Sequence, residues 1–260
     1  HASFHTYTPN GRLHQQGLYT SPTSRTSIEV LQSIRTKSER ALRDAYQAAI
    51  VDSSGSKAIK ISGGSLARPV DVVPSHWHDN LEYQVSQLER DRGVTILDKS
   101  IPTTIGNLPF LHIARVTDRC NSVGGGLRKA IRLCKNVKAD TENEGRTIRV
   151  SSFDIASLMY HANQPALLAG VAYELAILAE TQRHLDHLHA NKDYARTLLV
   201  PDGSRRIFDS DEKLEGLTAL SLEMDDLLRE VAKEQNAQLA AASSPTLTEC
   251  RAAVASTYIG

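Results

Sequence analysis

Strand-like patterning stops near residue 108, and the remainder of the chain reads as helix. No other feature restricts the fold as strongly. Before that point, Lys57–Ser62 alternates apolar and polar side chains, and Ala67–Val73 is rich in β-branched residues. Gly63-Gly64 between them fits a hairpin turn. Val94–Leu97 supplies a third strand, and Ala2–Tyr7 a short one near the start. Within Ser24–Ala49, residues Ile28, Leu31, Ile34, Leu42, Ala45 and Tyr46 recur at helical spacing, with Ser27 or Thr26 as N-cap. After Pro109 the helical segments are Gly126–Val137, Phe153–Asn163, Ala166–His189 and Lys213–Ala240. Leu127, Ala130, Ile131, Cys134 and Val137 fall on one face of the first of these. The expected class is α+β. A lobe of mixed or antiparallel sheet with helices occupies 1–108, and an all-helical lobe occupies 109–240. A small, polar, loosely held tail covers 241–260.

Composition narrows the function classes. The chain has 260 residues, 40% hydrophobic and 23% charged, which excludes a disordered, collagen-like or disulfide-stapled chain. Its three cysteines are far apart and odd in number, as expected of a reducing cytoplasm. The most apolar stretch, Ala166–Ala179, is too short to cross a bilayer and contains Glu174, so no membrane partner is expected. Thirty basic residues balance thirty acidic ones, which argues against a uniformly basic nucleic-acid coat. The balance is local rather than uniform. Arg115 to Lys138 carries seven basic residues against one acid, while Asp209 to Glu234 carries nine acids against three bases.

Three segments carry chemistry. In Arg68-Pro-Val-Asp71-Val-Val-Pro74 a carboxylate sits in a β-branched strand, where it would be held rigidly enough to ligate a hard divalent cation. The plain alternative is an aspartate on a solvated strand face. In Gly124-Gly-Gly-Leu-Arg128 through Lys138, the residues Arg128, Arg132 and Lys135 stand at i, i+4 and i+7 and form a cationic stripe able to hold a triphosphate. No Gly-Lys-Ser/Thr follows the glycines, so this is not a Walker A loop, and a flexible entry to the helix is the expected role of the glycines. An ordinary solvated face competes with the phosphate reading, although no acid is interleaved from Gly124 to Lys138. In Val150-Ser-Ser-Phe-Asp154 through His161, Ser151 or Ser152 can cap a helix, and a helix start with a spare hydroxyl can bind phosphate.

In this order, "VDVVP", "NLPFLHI", "GGGLRKAIRLCKNVK" and "VSSFDIASLMYH" resemble the DNA polymerase β-type nucleotidyltransferase superfamily. The branch they resemble most is the cGAS/DncV-like group of bacterial cyclic-oligonucleotide synthases. Leu199-Val-Pro-Asp-Gly-Ser204 also resembles the loop before the last helix of that group, and the likeness spans roughly residues 24–235. The resemblance implies a nucleotidyltransferase lobe followed by a helical lobe. It implies nucleoside triphosphates as substrates, Mg²⁺ or alternatively Mn²⁺ as cofactor, and an oligonucleotide second messenger as product, in anti-phage signalling. Carried over position by position, it makes Asp71 a catalytic, metal-binding carboxylate. Lys135 and Ser152 become triphosphate contacts, Phe153 a base-stacking aromatic and His112 a structural residue of the "P-x-x-H" turn. Arg132 joins Lys135 as a nucleotide-binding cation of the same stripe.

One departure is large. The family's Gly-Ser turn and D-x-D strand do not occur before Asp71. They are expected upstream of His1, and a catalytically inactive nucleotide-binding homologue is the competing expectation. A third reading is an RNA- or tRNA-modifying transferase with an RNA acceptor. Other clusters receive structural readings. His76, His78 and Asp79 have metal-ligand types without a partner set, and His184 and His187 share an exposed helix face. Trp77 either borders the site or fills a gap, and Tyr160 and His161 face the helical core.

Overall fold

A computed structural model describes residues 5–7 and 23–258, and the chain separates into two units, His1–Ile113 and Ala114–Gly260. The division falls five residues beyond the expected 108.

In the first unit, a four-stranded sheet has the order β1-β5-β6-β7 and a three-stranded sheet the order β2-β3-β4. The strands of the unit are β1 (His5–Tyr7), β2 (Ile50–Asp52), β3 (Ile59–Ser62), β4 (Val70–Val72), β5 (Ser75–Asp79), β6 (Gly93–Asp98) and β7 (Thr103–Asn107). Among the described strands β1 and β5 alone run parallel, and the other pairs are antiparallel. Residues 2–4 of the expected first strand lie outside the described residues. The Gly63-Gly64 turn joins β3 to β4 with both glycines at positive φ, a conformation that the absence of a Cβ permits. Between β4 and β5 the chain changes sheets at Val73-Pro74, where proline cannot donate to a ladder.

Helix α1 (Ser27–Ala45) begins with a capping box. Thr26 Oγ1 accepts from the Glu29 N–H at 3.2 Å, and the Glu29 carboxylate accepts from the Thr26 N–H at 2.7 Å. Its buried face carries Val30, Leu31 and, unexpectedly, Arg35. Arg35 donates to the carbonyls of Ser53, Gly55 and Ala58 at 3.0–3.1 Å and to Glu39 at 2.6 Å. The buried guanidinium thereby finds acceptors for Nε and Nη2 and ties the β2–β3 loop to the helix. The helix ends four residues before the expected Ala49, and the freed Ile50–Asp52 pairs as β2. Strands β5 and β7 and the short helix α2 (Leu81–Ser86) had no strong signal. The β5 sequence is Ser-His-Trp-His-Asp, and β7 is almost wholly exposed.

The second unit is helical: α3 (Pro109–Ser122, which begins in the first unit), α4 (Gly126–Asn143), α5 (Ser152–Tyr160), α6 (Gln164–Ala169), α7 (Ala176–Ala190), α8 (Lys192–Thr197), α9 (Asp211–Gln235), α10 (Ala237–Ala241) and α11 (Leu247–Ala255). Helices α7 and α9 form its centre, and α4 and α11 pack against both. The core runs through Leu127, Leu158, Leu185, Phe208, Leu217 and Leu228. The helix expected over Ala166–His189 is two helices; Gly170 caps the first, and a Cβ there would lie 2.3 Å from Ile177 Cδ1 of the second. The helix expected over Lys213–Ala240 likewise breaks at Asn236, which caps α10 through the Gln238 and Leu239 N–H groups. The segment expected to be a loose tail instead holds α11. Its Thr246–Glu249 capping box sets the helix, and Cys250 and Val254 are fully buried against the core. Among the described residues no helix is long and apolar enough to cross a membrane.

Candidate functional site

Asp71 occupies the middle of β4, an outer strand of the three-stranded sheet, opposite Lys60 in register. Strand geometry fixes its backbone, and its carboxylate is exposed beside the exposed Val70 and Val73. Among the described residues no hydrogen bond or ion pair engages it. That leaves it able to accept a cation, but one carboxylate does not make a metal site. No group of three His, Cys, Asp or Glu among the described residues could hold an ion, so the present donor set does not suffice for Mg²⁺ or Mn²⁺.

The second unit carries the other expected residues on α4 and α5, which pack together. On α4 the apolar positions read from the sequence are the buried ones, so the cations point away from the core. The chain enters this helix through Gly124 and Gly125, both at positive φ, and Gly126, where a Cβ would lie 2.4 Å from the Leu167 carbonyl oxygen. The glycines are therefore demanded by backbone conformation and close approach to α6, not by flexibility.

The cations of α4 divide into committed and uncommitted ones. Arg128 donates to Thr117 Oγ1 at 3.0 Å, and Lys129 pairs with Glu174 at 2.8 Å. Lys138 pairs with Glu142 and donates to the Ile148 carbonyl at 2.8 Å, which ties α4 to the segment entering α5. Of these, only Lys129 receives an acid from outside α4, since Glu142 lies on α4 itself and the partner of Arg128 is a hydroxyl. Arg132, exposed, and Lys135, half-buried one turn before Lys138, have no such partner among the described residues.

At the head of α5 the structure resolves which serine is the cap. Ser151 Oγ accepts from the Asp154 N–H at 3.1 Å and donates to the Asp154 carboxylate at 2.7 Å. Ser152 is consequently the first helical residue, exposed, with its hydroxyl uncommitted among the described residues. Phe153 follows, 36% exposed. Asp154 is only 1% exposed and lies among cations that the sequence reading missed. Arg205 donates to it at 2.6 Å, and the Lys213 Nζ stands 3.4 Å away. Burial alone would raise this carboxyl. The Arg205 and Ser151 hydrogen bonds, with the charges of Arg205 and Lys213, outweigh it and hold the group below the usual aspartate value. The Arg205 guanidinium also lies over the Phe153 ring, 5.2 Å from its centroid. Asp154 was legible only as a helix-start acid. Nothing local marks Arg205, which is brought in by the turn around Asp202-Gly203 closed by the Leu199–Arg206 bridge.

The remaining clusters are engaged structurally. His76 bonds Ser27 Oγ at 2.5 Å and the Trp77 carbonyl at 2.9 Å. His78 bonds Thr6 Oγ1 at 3.0 Å, and Asp79 pairs with Arg92 at 2.7 Å. Trp77 packs beside Phe110 and under the Arg92 guanidinium. His184 is buried and its Nε2–H donates to the Leu158 carbonyl at 2.9 Å, whereas His187 is exposed beside Tyr194, so the expected shared exposed face does not form. His161 is half-buried and bonded to the Leu199 carbonyl, Tyr160 stacks with Arg119, and His112 is buried in α3.

Comparison with known proteins gives one family and several relatives. Residues 114–229 match the family described as the cGAS/DncV-like nucleotidyltransferase C-terminal helical domain. The chain is 47% identical over 214 residues to the cyclic dinucleotide synthase CdnE of Yersinia aleksiciae, a match covering 82% of this chain and 56% of that protein. Among solved structures it resembles the STING-associated CdnE c-di-GMP synthase of Capnocytophaga granulosa, with TM-score 0.65 and 31% identity over 77% of this chain and 63% of that one. A STING-associated CdnE c-di-GMP synthase from Flavobacteriaceae sp. shares the fold, with TM-score 0.66 and 21% identity over 88% of this chain and 68% of that one. The chain thus spans little more than half the length of the curated CdnE relative it matches.

Proposed function

The chain belongs to the cGAS/DncV-like nucleotidyltransferases, and on that premise we propose that it serves in joining nucleoside triphosphates into a cyclic dinucleotide messenger. The observation that carries the reading is the pair Arg132 and Lys135. Where the neighbouring cations of α4 are committed to protein partners, these two have none among the described residues and suit a triphosphate. The exposed Ser152 hydroxyl and the N–H groups at the start of α5 add donors suited to phosphate oxygens. Lys135 acts as a point charge on the phosphates, and Arg132 as a second cation of the same stripe. Phe153 offers a ring on which a base stacks. Asp71 is the one carboxylate of this chain that the reading assigns to Mg²⁺ or Mn²⁺, and alone it does not suffice to hold the ion. The relatives' c-di-GMP activity favours GTP as a substrate. A cytoplasmic place and a role in anti-phage signalling form part of the same proposal; the signalling role is supported by the STING association of the Capnocytophaga granulosa relative.

The test is incubation of the full-length protein with labelled GTP and ATP, with and without tRNA. Phosphatase-resistant label in a small product, lost in Asp71→Asn while the fold is retained, is the expected result. Label appearing only in RNA would replace this reading with that of an RNA-modifying transferase.

A further inference from the structure

The least explained group around α5 is an ion cluster built on one buried carboxylate, which no expected role of the site requires. Asp154 is 1% exposed yet charged, and it sits one residue beyond Phe153. Three groups hold it: the Ser151 hydroxyl, Arg205 and Lys213. Asp209 extends the cluster, 3.5 Å from Arg205 and 2.9 Å from Lys213. Arg205 also donates to the Arg206 carbonyl at 2.9 Å, so its guanidinium is fixed by neighbours on two sides. A planar cation fixed this way holds its orientation over the Phe153 ring.

We propose that Arg205 is a positioning residue for the nucleobase: anchored on Asp154, it fixes and polarises the Phe153 ring on which the base stacks. The inference rests on the reading of Phe153 as a stacking residue and adds what sets that ring in place. Asp154 is the hinge of the device. One oxygen locks the N-cap serine, which leaves Ser152 for phosphate, and the other locks Arg205 against the ring. The turn at Asp202-Gly203, otherwise a remote surface feature, thereby becomes a determinant of base binding.

Calorimetric titration of the full-length protein with non-hydrolysable GTP and ATP analogues, and with inorganic tripolyphosphate, tests this. Arg205→Ala should weaken the better analogue by about threefold to tenfold, the range of a single cation–π contact. Tripolyphosphate affinity should stay unchanged, because phosphates do not meet the ring. Phe153→Ala should show the same pattern, and the double variant should bind no more weakly than Phe153→Ala alone. If the two losses multiply, or if Arg205→Ala weakens tripolyphosphate equally, Arg205 acts independently of the ring and the proposal fails. If Phe153→Ala binds the analogues like the parent protein, the stacking reading itself has failed. Thermal melting monitors the fold, and Arg205→Gln, which keeps a donor for Asp154 without the cation, replaces the alanine variant if that one melts early. The glutamine variant should show the same selective loss of analogue binding, and parent-like binding by it would overturn the proposal.

Discussion

At the scale of single residues, what separates Lys135 from Lys129 and Lys138 is the lack of a protein anion among the described residues, not its place on the helix. Lys129 and Lys138 have the same chemistry but are paired with Glu174 and Glu142. Lys135→Ala should therefore raise KM for the triphosphate by about tenfold with a smaller change in kcat, as expected for a lost ground-state phosphate contact. A fall in kcat at constant KM would assign the lysine to the chemical step instead. His184 gives a second prediction. Burial pushes its imidazole down to about 4, against the opposing pull of the Leu158 carbonyl and Glu180. The unfolded imidazole titrates near 6.5, so between these values the unfolded chain takes up a proton that the native one refuses. This contribution is fully present above pH 6.5 and is lost on acidification toward pH 4, at a cost of about 3 kcal/mol. Urea midpoints measured across that window should fall with pH, and His184→Asn should reduce the slope. An unchanged slope would show that the histidine protonates in the native state.

At the scale of elements, helix boundaries follow from close approach as much as from propensity. Gly216 lies in α9, where alanine would favour the helix by about 1 kcal/mol. A Cβ there would meet the Arg149 carbonyl carbon and Val150 Cγ2, each at 2.7 Å. Backbone cannot yield as a side-chain tip can, so Gly216→Ala should be net destabilising by about 1–3 kcal/mol, read as a lower Tm. The same contact seats the segment leading into the Ser151 cap, so nucleotide binding should weaken with it. A raised Tm would mean that propensity outweighs the contact. Much of this scale was legible in the sequence. The buried face of α4, the hairpin at Gly63-Gly64 and the strand around Asp71 follow from local periodicity. Strand β5 and helix α11 did not, because β5 is polar in sequence and α11 is short and rich in small residues. Each exists through its packing neighbours.

At the scale of the whole molecule, all three cysteines lie in the core of the second unit: Cys120, Cys134 and Cys250 are at most 2% exposed. Burial also drives the Cys134 thiol up to about 12, which suppresses the reactive thiolate. Thiol labelling at pH 8 should therefore track unfolding of this unit, α11 included, and fast labelling of Cys250 in native protein would show that α11 detaches on its own. The zero net charge has a structural counterpart at this scale, since α4 keeps a cationic face while acids gather along α9. The sequence by itself determined the α+β class, the order of its two parts, the rigid strand aspartate and the cationic stripe, because these depend on spacings of a few residues. Only the tertiary structure decided which serine caps α5, which cations remain uncommitted, and that Arg205 meets Asp154 across 51 positions of chain. Those outcomes depend on which distant groups packing brings within hydrogen-bonding reach, and no local pattern encodes that distance.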